Sequence, residues 1–333
     1  MGVARATVVF GALIGLPFVF GSTSVMNLFF FTLMYAACAS AWNIVGGYSG
    51  YISLGHAAFF GVGAYAIAIT FTHTGIGNGY RPFYVLPLVG IGVAIASVPI
   101  GWIAYRTRAA TFAIVTITLL FVVQQLAFNL HSLTDGAQGL SLPTPNFPVP
   151  SYEHPYYYAM LGVLALSVLA SWYVQGSKLG LALLAIRDDE DRARGLGVRT
   201  ELAKLVAFAL SAGLVAMAGG LWAYYIAFIY PQFAIDPLVT IGMVLMVYLG
   251  GRATVWGPVL GAFILVPAQQ VLADRLGASE LYLVGYAAVF LVVMLLMPRG
   301  ILPSLAEQWR RWRSPRSGRP ARPSRSAEEL AAS

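Results

Sequence analysis

Charged side chains are missing from most of this chain in long blocks. No Asp, Glu, Lys or Arg falls between Arg5 and Arg81, and none within 109–134, 154–177, 205–235, 253–273 or 281–298. Apolar runs of about 20 residues read as transmembrane helices. Ten are predicted, over about 7–21, 25–45, 57–72, 83–104, 110–131, 155–175, 201–228, 237–250, 257–273 and 280–297. The fold class expected is an all-α integral membrane protein of about ten transmembrane helices, its polytopic membrane body over 1–303 and a tail over 304–333.

The polar positions between these helices test the count, because cytoplasmic connections carry an excess of Lys and Arg. With ten spans, Arg106 and Arg108 fall on one face with Lys178, Arg187, Arg192, Arg194, Arg199, Lys204 and Arg252, and with seven arginines after residue 309. The 132–154 connection holds only Asp135 and Glu153 as charges and falls on the other face with 229–236, where the only basic residues are Arg81 and Arg275, the latter near Asp274 and Glu280. Both termini are therefore expected to be cytoplasmic. Residues 1–21 resemble a signal peptide, with Arg5, an apolar stretch and then Gly21-Ser22-Thr23-Ser24, but a cleaved signal has a shorter core and an A-x-A-like site, so they read as a retained first span. Prolines at 143, 145, 148, 150 and 155 forbid a continuous helix across 132–154. That stretch reads as an external loop, either a spacer or a docking surface.

Composition agrees. The chain of 333 residues is 59% hydrophobic and only 10% charged, with a mean hydropathy of +0.75. The Arg, Ser and Pro-rich tail over 309–333, with seven Arg and two Glu, supplies most of the net charge of +7 and is too poor in apolar residues to fold alone. Trp309 and Trp312 beside arginines suit a lipid headgroup zone, so the charge implies contact with anionic lipid and not with nucleic acid. Cys38 is the single cysteine and lies in an apolar run, where packing is its expected role.

Ten of the 33 charged residues lie between Arg187 and Lys204. Asp188 precedes Arg192 and Glu190 precedes Arg194 at i,i+4 with the acid first, the favourable order on a helix, and Arg187 is placed to meet Asp191. Gly195 and Gly197 end such a helix, and Thr200 is a candidate N-cap for the next span, with Glu201 in its first turn. The loop at about 176–204 is thus expected to hold one short self-paired helix on the cytoplasmic surface, read either as a solvated connector or as a knob for a second protein.

Chemistry of its own is scarce. No predicted span holds a carboxylate in its interior, where proton-coupled carriers place their relays. The only lysines, Lys178 and Lys204, follow serine and alanine and so build no Gly-Lys-Ser/Thr nucleotide loop. Neither G-x-S-x-G nor a metal-spaced His/Cys/Asp cluster occurs. If the chain drives transport, the energy comes from a partner, and no cofactor is expected in the chain itself.

GGYSGYISLGH, residues 46–56, interrupts two apolar runs without a charge. Backbone freed from a helix in hydrocarbon must be satisfied by protein or cavity water, and broken helices of this kind line substrate paths in transporters. Asn43, Gly46, Gly47, Ser49, Gly50, Ser53, Gly55 and His56 are the candidate path residues. The alternatives are a plain turn, or close helix packing at Gly55, Ala58, Gly61 and Gly63. A second joint, GGRATVWGPVLGAF at 250–263, has the same outline and hints at a weak internal repeat.

WNIVGGYSGYISLGHAAFFGVGAY (42–65), LGLALLAIRDDEDRARGLGV (179–198), VYLGGRATVWGPVLGAF (247–263) and MPRGILP (297–303) together resemble the LivM-type permeases of bacterial branched-chain amino acid ABC importers. The resemblance covers about 25–303. It implies a second related permease, two cytoplasmic P-loop ATPases that bind the ATP, a periplasmic or extracellular substrate-binding protein, and a place in the bacterial inner membrane. It also implies that the 187–197 helix couples to an ATPase, with Arg187, Asp188, Asp189, Glu190, Arg192, Gly195 and Gly197 in the matching motif and Asp191 and Arg194 on the same helix. Urea and short-chain amide importers use similar permeases, and a secondary amino acid carrier or a scaffold remain the other readings.

Overall fold

The computed structural model describes residues 2–19, 22–73, 79–145, 147–148 and 151–276, and beyond them 284, 287–288, 291, 295, 300–304 and 307. Almost all of the basic tail and most of the tenth predicted span, 280–297, lie outside these residues. The long helices are α1 (Gly2–Val19), α2 (Thr23–Gly46), α3 (His56–His73), α4 (Arg81–Ala104), α5 (Ala109–Asn129), α7 (His154–Gly176), α10 (Thr200–Ile226), α12 (Pro237–Gly250) and α13 (Gly257–Leu276). Short helices fill the connections: α6 (His131–Thr134), α8 (Lys178–Asp188), α9 (Glu190–Gly195) and α11 (Pro231–Ala234).

Seven segments among the described residues are long and apolar enough to cross a membrane, counting α11 and α12 as one segment over Pro231–Gly250. The apolar parts of α1 (Thr7–Val19) and α3 (His56–Thr72) are shorter. α3 is enclosed by α10, α4 and α5 and is buried along nearly its whole length. Apolar side chains face outward instead on α4 (Ile91, Ile95, Trp102, Ile103), α5 (Ile114, Phe121, Leu126) and α7 (Leu166, Leu169, Trp172). Large apolar groups on the outside are stable only against lipid, so the molecule is a multi-pass all-α membrane protein.

α10 and α2 form the centre. α10 packs along α3 and α4, and α2 along α7, α13 and α10. The α3–α10 crossing depends on reciprocal glycines: a Cβ on Gly63 would overlap the Ala216 carbonyl, and one on Gly219 the Phe60 carbonyl. Small residues let helix backbones touch where no hydrophobic effect drives them together.

The 132–154 connection is not one helix, as its prolines require. It holds α6, a 3-10 turn at Gly136–Gln138 and the strand β1 (Leu140–Ser141), which pairs antiparallel with β2 (Phe228–Ile229). This pairing brings the 132–154 and 229–236 connections to one end, as the charge pattern predicts of them.

Candidate functional site

The glycine run is a buried break between two helices. α2 stops at Gly46, a turn follows, and residues 50–55 run without helical bonds before α3 starts at His56. Side chains from elsewhere satisfy the freed backbone. Trp42 Nε1 donates to the Ser53 carbonyl (2.8 Å), Thr116 Oγ1 accepts from the Leu54 amide (3.0 Å), and Thr240 Oγ1 accepts from the Ala57 amide (2.8 Å). Ser49 Oγ donates to the Val45 carbonyl (2.8 Å) and accepts from the Tyr51 amide (3.3 Å). Ser211 gives its proton to the Ala41 carbonyl (2.7 Å), so it accepts from Nε2–H of His56 (2.9 Å), whose Nδ1 then accepts from Ser53 Oγ (2.8 Å). Side chains of α2, α5, α10 and α12 thus hold this break and the first turn of α3.

Two of the glycines are dictated by geometry. Gly50 has φ +76°, and a Cβ there would meet Arg187 Cγ at 2.9 Å. A Cβ on Gly55 would overlap the Thr116 carbonyl of α5. Gly46 and Gly47 sit under the Trp42 ring and the Asn43 amide of their own helix.

The second joint lies against the first. Asn43 Nδ2 donates to the Thr254 carbonyl and its Oδ1 accepts from the Ala253 amide, both at 3.0 Å. Gly300 is buried on Gly251, so the 297–303 motif also ends here. Arg187 Nη1 donates to the Gly47 carbonyl at 3.2 Å and brings in the charged loop. The four segments that carry the resemblance, spread between residues 42 and 303, therefore meet at one end of the bundle.

The charged loop differs from its sequence reading in local form. It makes two helices, because Asp189 is extended (φ −163°, ψ 106°) and caps α9 by accepting from the Arg192 amide at 3.0 Å. The break takes Asp188 and Arg192 off a common helix, and Arg192 instead lies 3.8 Å from Asp189. Arg187, in the last turn of α8, reaches to Gly47 and so does not meet Asp191. The Glu190–Arg194 pair forms as expected, at 3.4 Å. Gly197 (φ +88°) is the terminator of α9, with its amide bonded to the Arg194 carbonyl and that of Val198 to Ala193. Gly195 is the last helical residue and has open space around it. Thr200 opens α10 without capping it, and its hydroxyl accepts from Arg194 at 3.5 Å. Asp188, Asp189, Asp191, Arg192 and Leu196 (81% exposed) form the outer surface of the loop.

The inner surface is a charge cluster that sequence reasoning missed. Lys204, 1% exposed, donates to Glu190 Oε1 at 2.7 Å, and Tyr51 Oη donates to Glu190 Oε2. The ammonium also lies 4.5 Å over the Tyr51 ring and 5.2 Å over the Tyr105 ring. Tyr105 stacks on Phe112 at 4.5 Å, and both border Phe208. Burial alone would raise the Glu190 carboxyl, but hydrogen bonds from Lys204 and Tyr51 and the charges of Lys204 and Arg194 hold it below the usual carboxylate range. A signal was present in the sequence: Lys204 lies five residues into α10, where the helix dipole disfavours a cation, so it requires a carboxylate nearby.

The family described as "Branched-chain amino acid transport system / permease component" matches residues 24–298. The "High-affinity branched-chain amino acid transport system permease protein LivM" of Escherichia coli (strain K12) is 29% identical over 306 residues, covering 83% of this chain and 69% of its own. The corresponding LivH of Salmonella typhimurium is 25% identical over 287 residues, 80% of this chain and 91% of its own. The "Autoinducer 2 import system permease protein LsrC" of Salmonella paratyphi B is 38% identical over 116 residues, 33% of each chain. No solved structure matches. With that match across most of its length and LivM-like sequence over 83% of it, the chain belongs to the family of branched-chain amino acid transport permeases.

Proposed function

We propose that this chain is one of two related permease subunits of an ATP-driven importer that carries hydrophobic amino acids, Leu, Ile or Val, across a bacterial inner membrane. Two P-loop ATPases dock on the cytoplasmic face, a binding protein delivers substrate from outside, and ten spans place both termini in the cytoplasm. The observation that carries this reading is the loop at 178–199: an exposed two-helix knob bonded inward to the glycine joint, on a chain without its own nucleotide loop. Similarity to both LivM and LivH supports a permease pair.

The coupling residues divide by position. Asp188, Asp191 and Arg192 face outward toward the ATPase, Asp189 and Gly197 shape α9, and Arg187, Glu190 and Arg194 hold the loop to the bundle. The joint from Asn43 to His56 borders the path and bends as the subunits rock. Its serines and histidine are engaged in internal bonds, which suits a hinge beside the path. The LsrC-like stretch leaves substrate class to be read at the binding protein.

Two experiments test this. The chain is expressed with its genomic neighbours and purified in mild detergent, and its companions are identified by mass spectrometry. Two ATPases and a second polytopic protein are expected, whereas a chain that purifies alone and drives flux along an ion gradient is a secondary carrier. Reversing the exposed charges with Asp188→Lys and Asp191→Lys abolishes uptake while leaving the protein in the membrane. Unchanged transport removes the coupling assignment.

A further inference from the structure

The Glu190–Lys204–Tyr51 cluster joins three parts of the molecule that have no reason of stability to be joined by charge. Replacing a buried ion pair by apolar side chains of similar size is often neutral or stabilising. Lys204 also sits at the helix end where the macrodipole opposes it. A methionine there would pack on Tyr51 and Tyr105 without either cost. What a methionine would not do is hold Glu190.

Each oxygen of Glu190 is committed. Oε1 accepts from Lys204 (2.7 Å) and Arg194 (3.4 Å), and Oε2 accepts from Tyr51. Glu190 is the first residue of α9, so the carboxylate fixes the start of that helix to α10 through Lys204 and to the joint through Tyr51. Behind it, Ala193 is buried and seats the same helix on the bundle. Tyr51 then passes any displacement on in two directions. Its ring lies 5.5 Å from Tyr105 at the end of α4 and 5.4 Å from Phe112 on α5. Its backbone leads through Ser53 to His56 at the start of α3 and through Leu54 to Thr116 on α5. The Arg187–Gly47 bond runs parallel to this link one helix earlier. A pull on α9 thus reaches α3, α4 and α5 by directed contacts a few ångströms long.

We propose that this cluster is the strut that carries motion of the charged loop into the glycine joint, with Lys204 and Glu190 as its positioning residues. The proposal rests on the importer reading above and adds to it the residues through which ATPase closure reaches the spans. The ionic form suits this role, because a charge-assisted bond resists stretching at a fixed length while an apolar contact slides.

The test uses the complete reconstituted complex and reads amino acid taken up per ATP hydrolysed, beside the melting temperature and retention of the ATPases. Lys204→Met and the double variant Glu190→Leu/Lys204→Met both remain assembled and hydrolyse ATP, but move about tenfold less substrate per ATP. Tyr51→Phe falls between them and the unmutated chain. The double variant separates strut from simple stabiliser: it buries no charge, so its melting temperature rises above that of Lys204→Met while its transport stays low. If the double variant recovers transport together with stability, the pair only holds the fold and the strut is overturned. Failure of the importer reading shows elsewhere, as an unmutated chain that retains no ATPase or moves substrate without ATP, and it takes the strut with it.

Discussion

The two ends of the bundle are built by different chemistry. At the joint end, directed bonds set the geometry: Asn43 to the second joint, Arg187 to Gly47, and Glu190 to Lys204 and Tyr51. At the end where β1 and β2 pair, the interior is an aromatic cluster of Phe30, Phe83, Phe147, Tyr152, Tyr156, Tyr224 and Tyr225, with Tyr225 stacked on Phe30 at 4.0 Å. Ring contacts are worth much in area and tolerate small rotations, whereas a charge-assisted bond fails abruptly with distance and angle. The aromatic end keeps its packing while it shifts, and the joint end keeps a fixed length while it is pulled. The carboxylates show the same contrast. Burial raises Glu153 at the aromatic end, where its Oε2 has no hydrogen-bond partner among the described residues, while Glu190 is held low by hydrogen bonds from Lys204 and Tyr51 and by nearby cations.

This contrast can be broken by matched substitutions. The largest effect is expected from Tyr225→Ala, which removes a stacked ring and costs about 3 kcal/mol, read as a fall in the melting temperature of the detergent-solubilised protein. Tyr51→Phe deletes one hydroxyl bonded to a charge and costs about 2 kcal/mol. Tyr225→Phe, the same change at the other end, keeps its ring stack and costs under about 0.5 kcal/mol. Equal losses from the two Tyr→Phe changes would erase the distinction between the ends.

The smallest effects come from pH. The folded-state pKa of Glu190 lies below its ordinary 4.5. Its contribution is therefore complete above that value and lost as the pH falls through the lowered one. Glu153 has the opposite sign: its folded pKa lies above 4.5, so it favours the fold when protonated and opposes it as the pH rises past its ordinary value. Glu153→Gln should remove that loss and raise the melting temperature slightly at pH 7 but not at pH 4, while Glu190→Gln should lower it at pH 7 and converge with the unmutated chain in acid. Thermal melts across this range check both.

Much of the architecture was legible because membrane spans are written locally. A charge-free run of 20 residues leaves the backbone few options in lipid, and the predicted 83–104, 110–131 and 155–175 match α4, α5 and α7 within a few residues. The loop at 179–204 was legible as charged and self-paired, but its form was not. The i,i+4 spacing of Asp188 and Arg192 holds only on an unbroken helix, and Asp189 breaks it by capping α9. The glycine run was legible as a break, and its serines and histidine as polar chemistry within it. The partners they would find were not.

The sequence by itself determined the membrane class, the places where helices stop and the sorting of charge between connections, because hydropathy, glycine and proline act on the chain within a turn or two of where they stand. Only the tertiary structure decided that Asn43 would meet Thr254, that Arg187 would meet Gly47, and that Glu190 would find Lys204 and Tyr51. Those partners lie up to 211 residues apart. Nothing local selects them: each polar group must be satisfied inside a bundle without water, and which one satisfies which depends on how the helices pack.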